Sequence, residues 1–260
     1  MTHAAPQTIS IGALNAGDGA IVQTPILHLD AADADSYSGA GQQWHDISGH
    51  GNHFVAGYSA SVEAADPSFV GTAGAKDGSC WMALDGDALF SAVAAHNGET
   101  LRNLGRSDIA QTFEYWLYAG ASWPSYGVVY ANHYSAEGST PGLALLINNA
   151  GKMVATPYVA GSFVASAALN ANAWNHVALT GRFDGATSCK HFLNGAANGS
   201  FTASSGHTSG DAYDKPRLGY NGGNFLPNGW RFAIVRIYDF ALTEEQIAQN
   251  FNAQRWRYDI

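Results

Sequence analysis

From His28 onward the sequence is punctuated every 8 to 15 residues or so by Gly, Asn, Asp or Ser. That rhythm leaves room for short strands and almost none for helices, and it points to a sandwich or barrel. The β-rich runs between the breaks are Ile26–Asp30, Trp81–Leu84, Thr112–Tyr118, Val128–Ala131, Leu143–Ile147, Met153–Tyr158, Asn175–Thr180, Ser188–Leu193, Arg217–Tyr220 and Phe232–Tyr238. In Thr112–Tyr118 the residues Phe113, Tyr115 and Leu117 share one face, and Thr112, Glu114, Trp116 and Tyr118 share the other. Aromatics on both faces mark this strand as central, with one face on the core and one partly exposed. One segment breaks the pattern. Thr243 with Gln246 three residues later spells a capping box, and Leu242 and Ile247 are spaced for a hydrophobic staple, so a helix of two to three turns starts here. Ile247 and Phe251 share its buried face, and Glu244 and Glu245 suit its N-terminal dipole. A shorter turn is expected around Glu99–Leu104.

The 260 residues fit one such domain, since β-sandwiches commonly run to 250 residues. Hydrophobic residues make up 46% and charged residues only 13%, so charge-driven disorder is excluded and a sizeable core is expected. The net charge is −9, with lysine only at Lys76, Lys152, Lys190 and Lys215. No basic stripe exists to neutralise phosphates, which argues against nucleic acid and anionic membrane surfaces as partners. No apolar run reaches the length of a membrane span. Cys80 and Cys189 are too few for a disulfide framework and read either as one bridge or as two buried thiols.

Residues 1–24 stand apart. Two β-compatible runs flank Asn15-Ala16-Gly17-Asp18-Gly19, which resembles a hairpin turn. An isolated hairpin is marginal in water, so this arm reads either as a tail or as a segment held by a partner surface. Met1 to Val22 holds no basic n-region and no continuous apolar h-region, so no signal peptide is recognised.

Four separated segments resemble the LamG-like jelly roll of the laminin G and concanavalin A-like lectin/glucanase superfamily. Leu27-His28-Leu29-Asp30-Ala31-Ala32 with Trp44-His45-Asp46-Ile47-Ser48-Gly49-His50-Gly51-Asn52-His53 is similar to its opening, and Leu84-Asp85-Gly86 with Leu89 to a strand pair. Trp174-Asn175-His176-Val177-Ala178-Leu179-Thr180 with Phe192-Leu193-Asn194-Gly195 is similar to its "WNHVA…YVNG" hairpin. Phe232 to Ile247 is similar to the terminal "IDEVRIYNRALSDEEI" signature, with Ala233 and Ile234 where the acid pair usually stands. The resemblance spans roughly residues 25 to 255. It implies an all-β fold: an antiparallel, concanavalin A-like β-jelly-roll sandwich over residues 25–260 with one short C-terminal helix, preceded by the 1–24 arm. The matched residues are mainly structural, as in the type I′ turn that Asn194-Gly195 suits.

The chemistry is sparser. Glycoside hydrolysis needs paired carboxylates, and the E-x-D-x-x-E run of the glucanases of this fold is missing. Glu114, flanked on its face by Thr112 and Trp116, reads as an acid on a solvated face or as a hydrolase acid partnered by a distant loop. No G-x-S-x-G, phosphate-loop or H-E-x-x-H pattern occurs. His45, Asp46, His50, Asn52 and His53 crowd one loop, which reads as a solvated turn or a metal site. The resemblance favours calcium there, on Asp46 and Asn52. Asp30, Asp33 and Asp35 read as a solvated strand end. Sugar recognition wants aromatic faces beside amides. Trp123 and Tyr126 with Asn132, His133 and Tyr134 form one such loop mixture, and Tyr220, Asn221 and Asn224 beside Phe225 form another. The alternative for both is ordinary packing or a protein interface.

Three classes follow. The first is a non-enzymatic structural or adhesion protein of a phage-like virion. It would dock on neighbouring subunits through residues 1–24, as a homo-oligomer or within a larger assembly, and would contact surface glycans on the virion surface or outside cells. The second is a free lectin-like module, and the third a glycan-cleaving enzyme.

Overall fold

The computed structural model describes residues 24–57, 61–64, 66–92, 101, 103–132, 142–157, 161–204 and 216–260. Most of the expected 1–24 arm, half of the expected 99–104 turn, and His133 and Tyr134 lie outside these residues. Strands are numbered in chain order. The first sheet runs β14 (Ala196–Ser204), β13 (Asp184–Leu193), β12 (Ala173–Arg182), β7 (Ala110–Ala119), β18 (Trp230–Tyr238), β5 (Trp81–Leu84) and β4 (Ser68–Val70), with β1 (Leu27–Asp30) also pairing β18. The second runs β11 (Phe163–Val164), β10 (Met153–Pro157), β9 (Leu143–Asn148), β8 (Tyr126–Ala131), β15 (Arg217–Leu218), β6 (Leu89–Ser91), β3 (Phe54–Ala56) and β2 (Gln43–Trp44). A separate hairpin joins β16 (Tyr220–Asn221) to β17 (Asn224–Phe225). All these pairings are antiparallel.

The alternation read in the sequence becomes layers. Phe113, Tyr115 and Leu117 of β7 point into the space between the sheets and join Leu29, Val177, Phe232 and Val235 from their own sheet and Phe54, Tyr130, Leu145 and Ile147 from the facing one. Phe113 and Tyr130 meet across that core with ring centroids 5.0 Å apart. Each such side chain contributes about 1.5–3 kcal/mol on full burial. Asn194 and Gly195 take φ of 50° and 76°, the double left-handed geometry of the type I′ turn between β13 and β14.

The outer face of the first sheet departs from expectation. It is sealed by helix α1 (Glu244–Gln254), which starts at the N-cap Thr243 with both halves of the capping box formed. Leu242 and Ile247 pack together with Ala178, Phe192 and Tyr238, and Ile247, Asn250, Phe251 and Gln254 form the buried stripe at helical spacing. Thr112, Glu114 and Trp116 are therefore buried rather than half-exposed. Ala233, the extra residue of a bulge between Phe232 and Ile234, and Ile234 itself pack with Trp116, Phe251 and Tyr258. A dry cluster under a helix has no place for an unpaired acid, which accounts for apolar residues there. A 3-10 turn, Arg255–Tyr258, follows, and Arg257 donates to both Asp30 carboxylate oxygens at 2.7 and 2.8 Å. Asp30 is thus a buried ion-pair partner and not a solvated strand end; burial raises its pKa, but Arg257 and the Ala32 N–H outweigh that and leave it lowered.

Candidate functional site

The two aromatic–amide patches meet at one end of the second sheet. Val128 and Ala131 pack with Ala144 and Leu146 on the sheet's outer side, away from the main core. Tyr126 lies two residues before Val128 with regular pairing between them, so it shares that outer side and is 54% exposed. The β16–β17 hairpin packs against β8. A Cβ on Gly127 would stand 2.5 Å from Pro124 and 2.8 Å from Leu226, so the segments carrying Tyr126 and Phe225 interlock at this glycine. Phe225 is 44% exposed, Tyr220 and Asn224 are partly exposed, and Phe90 lies 6.5 Å from the Tyr220 ring. The Asp85-Gly86-Asp87 turn runs beneath, with the Phe225 ring 3.7 Å from where a Gly86 Cβ would stand. Asp85 is exposed, whereas Asp87 is buried and its pKa is pushed up to about 7 by burial and by the neighbouring Asp85. The segments that meet around Gly127 and Gly86 thus carry two open rings, an amide and a carboxylate, residue types able to stack a sugar ring and bond its hydroxyls.

Not every expected residue joins this surface. Trp123 is partly buried, set edge-on to Trp230 at 5.9 Å over Gly151, and serves the core. Asn132 is fully buried: its amide donates to the carbonyls of Leu101 and Leu104 and its oxygen accepts from the Leu143 N–H. Asn221 is buried and accepts from Arg217 at 3.3 Å. These three are packing groups rather than sugar ligands. Asp85 was legible only as part of a fold signature, and Phe225 as an aromatic of the second loop mixture.

The proposed cation loop is closed by its own backbone. Asp46 Oδ1 accepts from the N–H groups of His28 and Ser48, and Oδ2 accepts from Ser48 Oγ and the Asn52 N–H, all at 2.8–2.9 Å. Asn52 Nδ2 donates to the Ile26 carbonyl at 2.7 Å. The carboxylate is committed to shaping the turn, whereas the Asn52 side-chain oxygen is buried without a hydrogen-bond partner. Among the described residues no three His, Cys, Asp or Glu side chains gather as a metal set.

Glu114 faces neither solvent nor a cleft. Its Oε1 accepts from His176 Nε2 at 2.9 Å and Arg236 Nη1 at 3.2 Å; its Oε2 accepts from Asn250 Nδ2 at 2.9 Å and Tyr238 Oη at 3.3 Å. Burial pushes this carboxyl up, but Arg236 and then His176 and Asn250 hold it at about 2. Arg236 Nε in turn bonds His28 Nε2 at 3.2 Å, and burial with the Arg236 charge lowers His28 to about 3. Glu114 therefore cannot reach a glycosidic oxygen, which removes the hydrolase built on it, and the solvated-face reading is corrected too. An open cavity of about 360 Å³ lies between β12, β13 and the start of α1, but its cation, Lys190, is already paired with Glu244. Cys80 and Cys189 are both free and buried, the second of the two sequence alternatives.

The Laminin_G_3 family model, Concanavalin A-like lectin/glucanases superfamily, matches residues 85–248. No curated protein sequence matches. Among solved structures, a Trypanosoma rangeli sialidase in complex with the inhibitor DANA superposes with TM-score 0.54 at 12% identity, over 86% of this chain and 32% of that one. The Ruminococcus gnavus IT-sialidase CBM40 bound to alpha2,3 sialyllactose gives 0.50 at 16% identity, over 65% and 94%. The Botulinum neurotoxin serotype D binding domain gives 0.55 at 14% identity, over 90% and 54%. The chain spans about a third of the sialidase's length and about half of the toxin domain's. At these identities the likeness is one of fold, a lectin-like jelly roll.

Proposed function

Because this chain belongs to the Laminin_G_3 family of the Concanavalin A-like lectin/glucanases superfamily, we propose that it is a carbohydrate-binding module whose ligand lies on the Tyr126–Phe225 junction. The observation that carries this reading is the junction itself: two half-exposed rings on segments a hundred residues apart, which interlock where Pro124 and Leu226 close on Gly127, with Asn224 in the same hairpin as Phe225 and Asp85 in the turn that Phe225 packs on. Tyr126 and Phe225 stack the sugar, Tyr220 borders it, and Asn224 and Asp85 bond its hydroxyls. A CBM40 bound to sialyllactose among the similar structures shows that this fold can present a sugar. The reading is non-enzymatic, supported by the sealed position of Glu114.

A glycan array with and without a chelator tests it. The wild type gives defined signals that disappear in a Tyr126→Ala/Phe225→Ala variant of unchanged circular dichroism; a silent array, or signals that survive the double change, refutes the site. Display on a phage-like particle, argued from the sequence alone, is part of the proposal. Deleting residues 1–24 should abolish assembly with the partner while leaving the sandwich folded, and normal assembly without them refutes docking through the arm.

A further inference from the structure

At the end of α1, where Tyr258 of the Arg255–Tyr258 turn packs on Trp174 with ring centroids 4.8 Å apart, one rung of the first sheet's outer face crosses five strands: Trp174 of β12, Tyr118 of β7, Arg231 of β18, Ala83 of β5 and Ser68 of β4. Trp81 stands two residues from Ala83 on the same face. The Arg231 guanidinium carbon lies 4.5 Å from the Trp81 ring centroid and 4.2 Å from that of Tyr118. Trp174 closes the group edge-on, 6.2 Å from Trp81 and 5.5 Å from Tyr118. All four side chains are partly exposed.

Arg231 is unlike the chain's other well-placed guanidinium groups. Arg236 is spent on Glu114, Arg257 on Asp30 and Arg106 on Asp108. Arg231 meets no carboxylate or other hydrogen-bond acceptor among the described residues, and its nitrogens are not sealed from solvent. Two rings within cation–π distance restrict the guanidinium, while its N–H groups meet no acceptor among the described residues. A rigid fork of this kind matches the two oxygens of a carboxylate. The neighbouring indoles offer faces and edges to a ring. A peptide strand would need an unpaired sheet edge, and β12, β7, β18 and β5 are paired on both sides.

We propose that this ledge is a second binding site, for a carboxylated sugar such as a uronate or sialate, with Arg231 taking the carboxylate and Trp81 and Trp174 packing the ring. The site stands apart from the Tyr126–Phe225 junction, and neither reading depends on the other. A net charge of −9 repels a polyanion at long range, so the contact is short-ranged and is best measured near physiological salt, where the screening length is about 8 Å.

The test is affinity electrophoresis of the full chain in the Tyr126→Ala/Phe225→Ala background, so that the first site is silent. The gels contain polygalacturonate, hyaluronate, colominic acid, neutral galactan or dextran sulfate. At least one of the three carboxylated polymers retards the protein and galactan does not. Arg231→Gln then weakens that retardation at least about tenfold, the loss of one charge-assisted contact, and Arg231→Lys falls between. Retardation by none of the three, by dextran sulfate alone, or equally with Arg231→Gln overturns the proposal. Should Arg231→Gln fail to fold, free galacturonate and its methyl ester are compared as competitors on the parent protein: only the acid displaces the polymer, and equal displacement overturns the assignment.

Discussion

Replacing Glu114 by Gln removes one negative charge from a site where its partners His176, Arg236, Tyr238 and Asn250 are all buried, and its cost can be reached by two routes. A carboxyl held at about 2 in the folded chain against an ordinary 4.5 stabilises the fold by about 3 kcal/mol at neutral pH. Breaking a buried ion pair from one side costs about 3–5 kcal/mol, because Arg236 would be left without the charge that offsets its desolvation. The sign follows from the lowered pKa: the contribution is complete above pH 4.5 and is lost as pH falls toward 2. Urea unfolding followed by tryptophan fluorescence, run from pH 7 down to pH 2.5 on wild type and Glu114→Gln, isolates this carboxyl from other acids as the difference between the two. The gap is about 3–5 kcal/mol at pH 7 and shrinks below pH 4.5. Equal stability at pH 7, or a gap that does not change with pH, would show that the network is not charged as described.

Three further outcomes follow from the same coordinates. Gly195→Ala forces a side chain onto a φ of 76° with its Cβ 2.7 Å from the Phe251 ring; a loss of about 1–3 kcal/mol in urea is expected, and an unchanged midpoint would contradict the turn. Asp87 has a folded pKa of about 7 against 3.8, so its favourable contribution is complete below pH 3.8 and is lost as pH rises through 7. Asp87→Asn should therefore melt with wild type at pH 3.5 but higher at pH 8, and no gain at pH 8 counts against the burial of that acid. Both thiols are buried, and burial pushes Cys189 up to about 12; iodoacetamide at pH 8 should modify neither in the native protein and both in urea, and rapid native labelling would be the contrary result.

Local signals carried most of the scaffold. The Asn194-Gly195 turn, the Thr243 capping box and the alternation in β7 each act within a few residues, and each is found where it was expected. Trp81–Leu84 matches to the residue, while β7, β12 and β18 run one or two residues further at one or both ends. Strand β14, Ala196–Ser204, is missing from the sequence reading because its Gly, Ser and Ala composition has weak strand propensity; the turn before it and pairing to β13 impose it. The site was less legible. Glu114 looks solvated within its own strand, and the residues that bury it, Tyr238 and Asn250, come more than 120 positions later. Tyr126 and Phe225 were each visible as loop aromatics, but nothing within either segment says that they share a junction. Arg231, Trp81 and Tyr118 form a group only through strand register, which no local pattern encodes.

The place of β18 governs the order of assembly during synthesis. It lies between β7 and β5 with β1 alongside, yet it is the last of the described strands to be translated, and the Arg257–Asp30 clamp is made by residues later still. Until about residue 238 has emerged, β7 and β5 have no common neighbour and the earlier strands face a gap at the middle of their sheet. The nascent chain must hold that half-sheet open until β18 has emerged, so folding is expected to be slow and dominated by distant pairings.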